Sequence, residues 1–365
     1  MALLWIDGFE HYGPGAVTPV YSSPTTYDSS GVINCKYMGT YDFRHKISSN
    51  GSTGNCLYLD STSAYMMTPL LTTNRTMIVG FAFRMAQAEA DGNIPIVDFR
   101  DNNNYGETIG YRQLHINYRT TSNVTNFLIY RGNTLIGTSN AITHDNDWHY
   151  LEVKVYCDST AGTVEIRLDE IVVYSGTGLD TQHRSNFNFY SRILFNTVSY
   201  SGAYGSYYLD DLYICDGSGT SKNDFLGTCN VETIVPTADV LSDWAPATGN
   251  DNYAMLDDIL QSSSNYIESG TSTDQATFET SNVATSNAIH GVMLCADVKG
   301  GTVDGTTKYP KFLTQNGTGN IVDGANMVYA DEYVGTSTDL MEEDPDGNGW
   351  TPATVNSLRI GVELV

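Results

Sequence analysis

Asp147-Trp148-His149-Tyr150-Leu151-Glu152-Val153-Lys154-Val155-Tyr156-Cys157, followed by Gly162-Thr163-Val164-Glu165-Ile166-Arg167-Leu168, is the stretch that decides the fold. In the first part Leu151, Val153, Val155 and Cys157 alternate with Glu152, Lys154 and Tyr156, the two-residue period of a half-buried strand. Ala161-Gly162 supplies a turn, after which Val164, Ile166 and Leu168 point one way and Glu165 and Arg167 the other. A second turn at Asp169-Glu170 leads into Ile171–Tyr174. Three strands with short connections make an antiparallel meander.

The same signal recurs on both sides. Strands are expected at Leu3–Phe9, Cys56–Leu59, Met77–Phe83, Ile94–Phe99, Leu114–Tyr118, Phe127–Tyr130, Phe187–Phe195 and Tyr207–Ile214. Met77-Ile78-Val79-Gly80-Phe81-Ala82-Phe83 is apolar on both parities, which predicts a central strand covered on both faces. About a dozen strands in some 215 residues predict an all-β, two-sheet jelly roll.

Composition shifts at Asp216-Gly217-Ser218-Gly219-Thr220-Ser221-Lys222-Asn223-Asp224, a turn-rich run. The sequence therefore predicts a jelly roll over 1–216, an exposed connector over 217–230 and a smaller, mostly β domain over 231–365. Strands are expected there at Val231–Val235, Ala276–Phe278, Ala288–Val298, Lys308–Leu313, Met327–Tyr333 and Ser357–Val365, with a short helix at Tyr253–Leu260, where Met255, Leu256, Ile259 and Leu260 share a face.

The 365 residues carry 18 basic and 42 acidic side chains, a formal charge of −24. Such a surface repels phosphate backbones and anionic membranes, so nucleic acid is excluded as a partner, and the charge reads as a device for solubility at high copy number. No apolar run reaches the roughly 20 residues that span a bilayer. Met1-Ala2-Leu3-Leu4-Trp5-Ile6-Asp7 lacks a basic leader region, so no signal peptide is expected. Cys35, Cys56, Cys157, Cys215, Cys229 and Cys295 are scattered without Cys-x-x-Cys or Cys/His clustering and read as small apolar residues.

Three segments resemble the concanavalin A-like, laminin-G-like jelly-roll superfamily: Asp147–Val153 with the meander after it, the closing strand Tyr208-Leu209-Asp210-Asp211-Leu212-Tyr213-Ile214, and the opening Leu4-Trp5-Ile6-Asp7-Gly8-Phe9-Glu10-His11-Tyr12. The opening, the junction Phe225-Leu226-Gly227-Thr228-Cys229-Asn230-Val231 and the strings Ser242-Asp243-Trp244-Ala245-Pro246 and Gly349-Trp350-Thr351-Pro352-Ala353-Thr354-Val355-Asn356 together resemble tailed-bacteriophage virion proteins. At the junction Thr228 and Asn230 stand where that pattern has Asp and Arg. The resemblance implies a virion structural protein assembled in the host cytoplasm. It would be a tail-associated baseplate or fibre component with an outward lectin-like domain, a homo-oligomer bound to other virion proteins. A capsid decoration protein and a host-glycan-binding module are the alternatives.

Glucanases that share this jelly roll place paired carboxylates on one strand as Glu-x-Asp-x-x-Glu. No such string occurs; Glu165, Asp169 and Glu170 come nearest, on the solvent parity and in a turn. Nor is there a Gly-x-Ser-x-Gly elbow or a His-Glu-x-x-His helix, and the chain is expected not to be an enzyme. Asp344-Pro345-Asp346-Gly347-Asn348-Gly349 offers oxygens at the spacing of a calcium loop, but Val355 stands where the closing Glu belongs, so the segment reads as a turn with calcium as the alternative. Asp210-Asp211 is a second oxygen pair; Asp210 shares strand parity with Leu212 and Ile214 and is expected to hydrogen-bond a neighbouring loop, with rim calcium again the alternative. The 25 tyrosines include the groups Tyr200, Tyr204, Tyr207, Tyr208 and Tyr105, Tyr111, Tyr118. The first group is the expected binding surface, since exposed rings stack on sugars and anchor interfaces.

Overall fold

The structure, a computed structural model, describes residues 2–10, 15–16, 38–39, 45–48, 51–52, 54–59, 65–68, 71, 73–88, 93–101, 112–121, 124–196, 205–258, 264–300, 302–303, 306–327 and 334–365. It divides into two compact units, Met1–Val231 and Glu232–Val365.

The first unit is a two-sheet sandwich. Its strands are β1 (Leu3–Asp7), β2 (Gly15–Ala16), β3 (Met38–Gly39), β4 (His45–Ser48), β5 (Cys56–Leu59), β6 (Tyr65–Met67), β7 (Thr76–Ala88), β8 (Asn93–Arg100), β9 (Arg112–Thr121), β10 (Val124–Arg131), β11 (Thr134–Thr138), β12 (His149–Tyr156), β13 (Gly162–Leu168), β14 (Ile171–Leu179), β15 (Arg192–Asn196) and β16 (Gly205–Asp216). One sheet has nine strands in the order β14-β13-β12-β7-β16-β5-β4-β2, with β1 also on β16; the other has seven, in the order β11-β10-β9-β8-β15-β6-β3. All the pairings are antiparallel, so a jelly-roll-type sandwich results.

The core lies between the sheets and is built from one parity of each strand. Phe81 and Phe83 of β7, Leu151 and Val153 of β12, and Leu209 and Ile214 of β16 meet Ile94 and Phe99 of β8, Leu114 and Ile116 of β9, and Phe127 and Ile129 of β10. Each fully buried side chain of this size contributes about 1.5–3 kcal/mol. Phe81 stands edge-on to Phe195 of the opposite sheet, with centroids 5.3 Å apart. The meander read from the sequence is β12-β13-β14, and the doubly apolar segment is β7, inside its sheet between β12 and β16. Cys56, Cys157 and Cys215 are buried.

Two expectations for this unit change. The strand expected from Phe187 starts only at Arg192, because Phe187 N and its carbonyl are engaged in a turn with Arg184 and Gln113. Residues 217–230, expected as an exposed connector, belong to the first unit, as does Val231, expected to open the second domain.

The second unit centres on a five-stranded antiparallel sheet in the order Pro236–Ser242, Gln275–Thr280, Leu358–Leu364, Pro310–Asn316, Ile321–Asn326. Trp350, Val355 and Leu358 form one small core and Leu294, Phe312 and Met327 another. Trp350 Nε1 donates to Met341 O at 2.8 Å. Thr351 caps the short helix Pro352–Asn356, which turns the chain into the last strand. Residues 231–235 are not strand, and only Cys295–Val298 of the expected strand at 288–298 is extended in a ladder. The expected helix at Tyr253–Leu260 is one 3₁₀ turn, Tyr253–Met255, its start held by Asn252 N and Tyr253 N donating to Asp239; residues 259 and 260 lie outside the described set. Among the described residues no helix is long and apolar enough to cross a membrane.

Candidate functional site

The outer face of the nine-stranded sheet is treated differently along its length. At one end the segment 225–231 lies over it. Tyr213 OH donates to Glu152 Oε1 at 2.5 Å, and the same atoms accept from Leu226 N at 3.2 Å and Gly227 N at 2.9 Å respectively. Val231 N donates to Asp211 Oδ1 at 2.8 Å, and the Arg167 guanidinium lies over the Phe225 ring at 4.1 Å. Gly80 makes room for this: a Cβ there would sit 2.1 Å from Tyr213 Cε1.

Beyond that strap a row of half-buried side chains crosses four neighbouring segments: Tyr58 on β5, Tyr208 on β16, Arg84 on β7 and Trp148 at the entry to β12. The register makes the row, since Tyr208 pairs with Tyr58 on one side and with Arg84 on the other. Ring centroids of Tyr58 and Tyr208 are 4.7 Å apart, and those of Trp148 and Tyr208 6.3 Å. Arg84 Cζ sits 4.5 Å from the Tyr208 ring and 5.2 Å from Trp148. Of the tyrosines named from the sequence, Tyr208 therefore stands on this face. Tyr207, one residue away, points into the core, fully buried with its hydroxyl on Ile96 O at 2.9 Å. Tyr200 and Tyr204 lie outside the described residues. Tyr58, Arg84 and Trp148 went unrecognised because they are distant in sequence and meet only through register.

Trp148 is positioned by its neighbour. His149 Nδ1 lies 2.7 Å from Asp169 Oδ2 and its Nε2 2.8 Å from Asp145 Oδ1. An imidazole donates from both nitrogens only as the cation. Burial opposes that charge, but the hydrogen bonds to Asp169 and Asp145 outweigh it and raise the His149 pKa above its ordinary value.

Asp210 and Asp211 sit on β16 at a bulge, with Asp211 at φ 49. The bulge resets the strand, so Leu209, Leu212 and Ile214 face the core while Asp210 does not share their parity, contrary to the reading from sequence. Asp210 Oδ2 accepts from Ser52 N at 2.8 Å and Oδ1 from Asp211 N at 2.9 Å. Burial lifts the Asp210 pKa to about 7, with the Asp211 charge adding, and burial lifts that of Asp211 to about 6. Backbone N–H donors thus hold both carboxylates, and Asp210 reaches a neighbouring loop through Ser52 N as the sequence reading expects. At the second segment named from sequence, Asp344 Oδ1 accepts from Asp346 N and Asn348 N at 3.0 and 2.9 Å, while Asp346 Oδ2 accepts from Asn316 Nδ2 at 2.7 Å. Asp344, Asp346 and Asn348 thus build a turn. Among the described residues no group of three or more His, Cys, Asp or Glu is arranged to hold a metal ion.

These titrations give a signed expectation. His149, with a raised folded-state pKa, contributes stability that is full below its unfolded value of about 6.5 and lost as pH rises through the folded one. Asp210 and Asp211, raised to about 7 and about 6, act in the same sense, because folding favours their protonated forms. The midpoint of thermal unfolding of the first unit is expected to fall between pH 6 and pH 8 by at least roughly 2–4 °C, the shift that 1 kcal/mol produces at this size. His149→Gln should flatten part of that slope. A midpoint that rises with pH would overturn the assignment.

The outer face of the seven-stranded sheet is polar and buried. Asp98 Oδ2 accepts from Arg112 Nε at 2.8 Å and lies 3.4 Å from Arg100 Nη2; none of the three side chains exceeds 3% exposure. His115 stacks on Tyr130 with centroids 4.9 Å apart and an interplanar angle of 6°. Burial, with Arg112 adding, lowers the His115 pKa to about 3, so the ring is neutral at physiological pH. Asn117 Nδ2 donates to Asn93 Oδ1 at 2.9 Å. Next to them Gln113 binds the 183–187 loop, its Oε1 accepting from His183 N and Arg184 N and its Nε2 donating to Phe187 O at 2.5 Å. The sequence signal for this constellation is the polar parity of Gln113, His115 and Asn117, while the strand expected at Leu114–Tyr118 rests on the apolar parity.

No family model matches the sequence, and no curated protein is similar to it by sequence. Solved structures do match. An alginate lyase is 14% identical over 58% of this chain and 96% of its own, with a TM-score of 0.40. An endo-β-1,4-glucuronan lyase from the fungus Trichoderma reesei is 14% identical over 48% and 87%, at 0.35. A carbohydrate esterase from the Shiga toxin-encoding bacteriophage phi24B is 14% identical over 47% and 86%, also at 0.35. At this identity and overlap the likeness concerns the sandwich alone. These three structures are named as enzymes, and the expectation that this chain is not an enzyme is withdrawn.

Proposed function

We propose that the chain is a glycan-contacting component of a tailed-phage virion. Its jelly roll meets carbohydrate through the outer face of the nine-stranded sheet, and its second unit seats it among other virion proteins and further copies of itself. The observation that carries the carbohydrate contact is the row Tyr58–Tyr208–Arg84–Trp148, half-buried rings and a guanidinium held side by side by strand register. Rings fixed this way lose little entropy on binding and present flat apolar faces to pyranose C–H groups.

The virion part rests on the junction and terminal strings quoted above, with a tail-associated place preferred and a capsid-decorating one the alternative. An assembly role for the second unit is supported by its sheet edges. Val240 and Leu241 on one edge strand and Ile321 and Val322 on the other are each 37–40% exposed. Edge strands that expose apolar side chains are templates for another chain.

Affinity electrophoresis of the full chain through gels containing neutral and anionic polysaccharides tests the contact. Retardation by at least one of them is expected. Tyr208→Ala should weaken it about tenfold, the equivalent of the roughly 1–1.5 kcal/mol that a stacked ring contributes. Absence of retardation in every gel would discard the reading.

A further inference from the structure

We propose that the row on the nine-stranded sheet selects anionic carbohydrate, a pyranose bearing a carboxylate or sulfate, with Arg84 as the residue that reads the charge. The inference rests on the carbohydrate-contact reading above.

Most of the described arginines have a carboxylate partner, whereas Arg84 does not, nor does Arg119, whose Nε donates to Thr121 Oγ1. Arg112 and Arg100 are paired with Asp98, Arg75 with Asp158, Arg131 with Asp180 and Arg184 with Asp101. With 42 acidic residues against 18 basic ones, a carboxylate partner is easily found. Arg84 has none among the described residues; its contacts are the faces of Tyr208 and Trp148. A guanidinium whose faces are covered by rings keeps its N–H donors in the plane at the edge, where they match the paired oxygens of a carboxylate or sulfate. Stacking also fixes the fork in advance, so little rotamer entropy remains to be lost on binding. Lys46 occupies the register position opposite Tyr58 on the neighbouring strand. At 0.15 M salt the Debye length is about 8 Å, which screens the distant carboxylates and leaves the contact charge in control.

The test uses the full chain at that ionic strength and two matched pairs of probes: dextran with dextran sulfate, and fully methyl-esterified homogalacturonan with its de-esterified form. Each pair shares a backbone and differs in charge, and the two pairs separate sulfate from carboxylate. Calorimetric titration of the wild-type protein is expected to show at least a tenfold preference for the anionic member of one pair. Arg84→Gln should bring the ratio of anionic to neutral affinity close to one. Arg84→Lys, which keeps the charge but loses the planar fork, should fall between. Tyr208→Ala should weaken both members together. Equal affinity for neutral and charged members, unchanged in Arg84→Gln, would overturn the charge selection and leave the contact reading standing. Failure to bind any of the four would remove both.

Discussion

Replacing Asp98 with alanine is expected to destabilise the first unit by about 3–5 kcal/mol, the cost of breaking a buried ion pair by removing one partner. Asp98 Oδ2 receives Arg112 Nε at 2.8 Å and Arg112 Nη2 at 2.6 Å, with Arg100 Nη2 at 3.4 Å. Asp98 and Arg112 are both fully buried, so the loss is not softened by solvent as it is at the surface. The alanine variant would leave two guanidiniums in the interior without the carboxylate they share. A urea titration should show the midpoint displaced with the slope unchanged, the signature of lost stability. Arg112→Met in the Asp98→Ala background should recover part of the loss, because it removes a buried charge whose pairing with Asp98 the first change breaks. A single-variant effect below about 1 kcal/mol would show that this carboxylate is not what holds the two arginines.

The second large effect is expected at Gly80, in the middle of β7. Valine there has no space: even a Cβ would meet Tyr213 at 2.1 Å from Cε1 and 2.5 Å from Cζ, in a side chain only 1% exposed. The ring would have to leave the sheet, carrying with it the hydroxyl that binds Glu152 and Leu226 N. Overpacking of this kind costs about 1–3 kcal/mol, and more where neighbours cannot shift. The clash also predicts a local consequence, since the strap 225–231 is anchored through Tyr213 and Glu152. Limited proteolysis of Gly80→Val should produce a new cut near residues 222–230 that the wild-type protein resists. Gly80→Val/Tyr213→Leu, which takes away the clashing ring, should recover part of the stability but not the protection of the strap. If Gly80→Val is as stable and as resistant as the wild type, the close packing of Gly80 under Tyr213 is refuted.

Both effects fall on residues whose identity means little in isolation. Gly80 interrupts an apolar run, Asp98 lies on a strand named from the sequence only for its apolar parity, and Arg112 precedes the strand expected at Leu114–Tyr118. The same holds at the candidate site. Tyr208 was picked out because it belongs to a visible tyrosine group, but that group also contained Tyr207, whose place in the core is set by one-residue alternation. Tyr58, Arg84 and Trp148 had no such signal. Asp210 shows the limit of parity counting, because the bulge at Asp211 shifts its strand by one position. The missing catalytic motifs of other jelly rolls likewise said nothing about the polar face that Asp98, Arg112 and His115 share. Motifs are local strings, and sheet faces are assembled across strands.

The alternation of Leu151, Val153 and Val155, of Val164 and Ile166, and the doubly apolar β7 were enough by themselves to determine an all-β sandwich with its core strands named. A side-chain period of two is a property of the single strand and needs no partner. Only the tertiary structure decided which side chains stand together on the outer faces: Tyr58 with Tyr208 and Arg84, Gly80 beneath Tyr213, Asp98 against Arg112. Those meetings depend on pairing order and register between segments up to about 150 residues apart, and hydrogen-bonded ladders set them with no imprint on the local sequence.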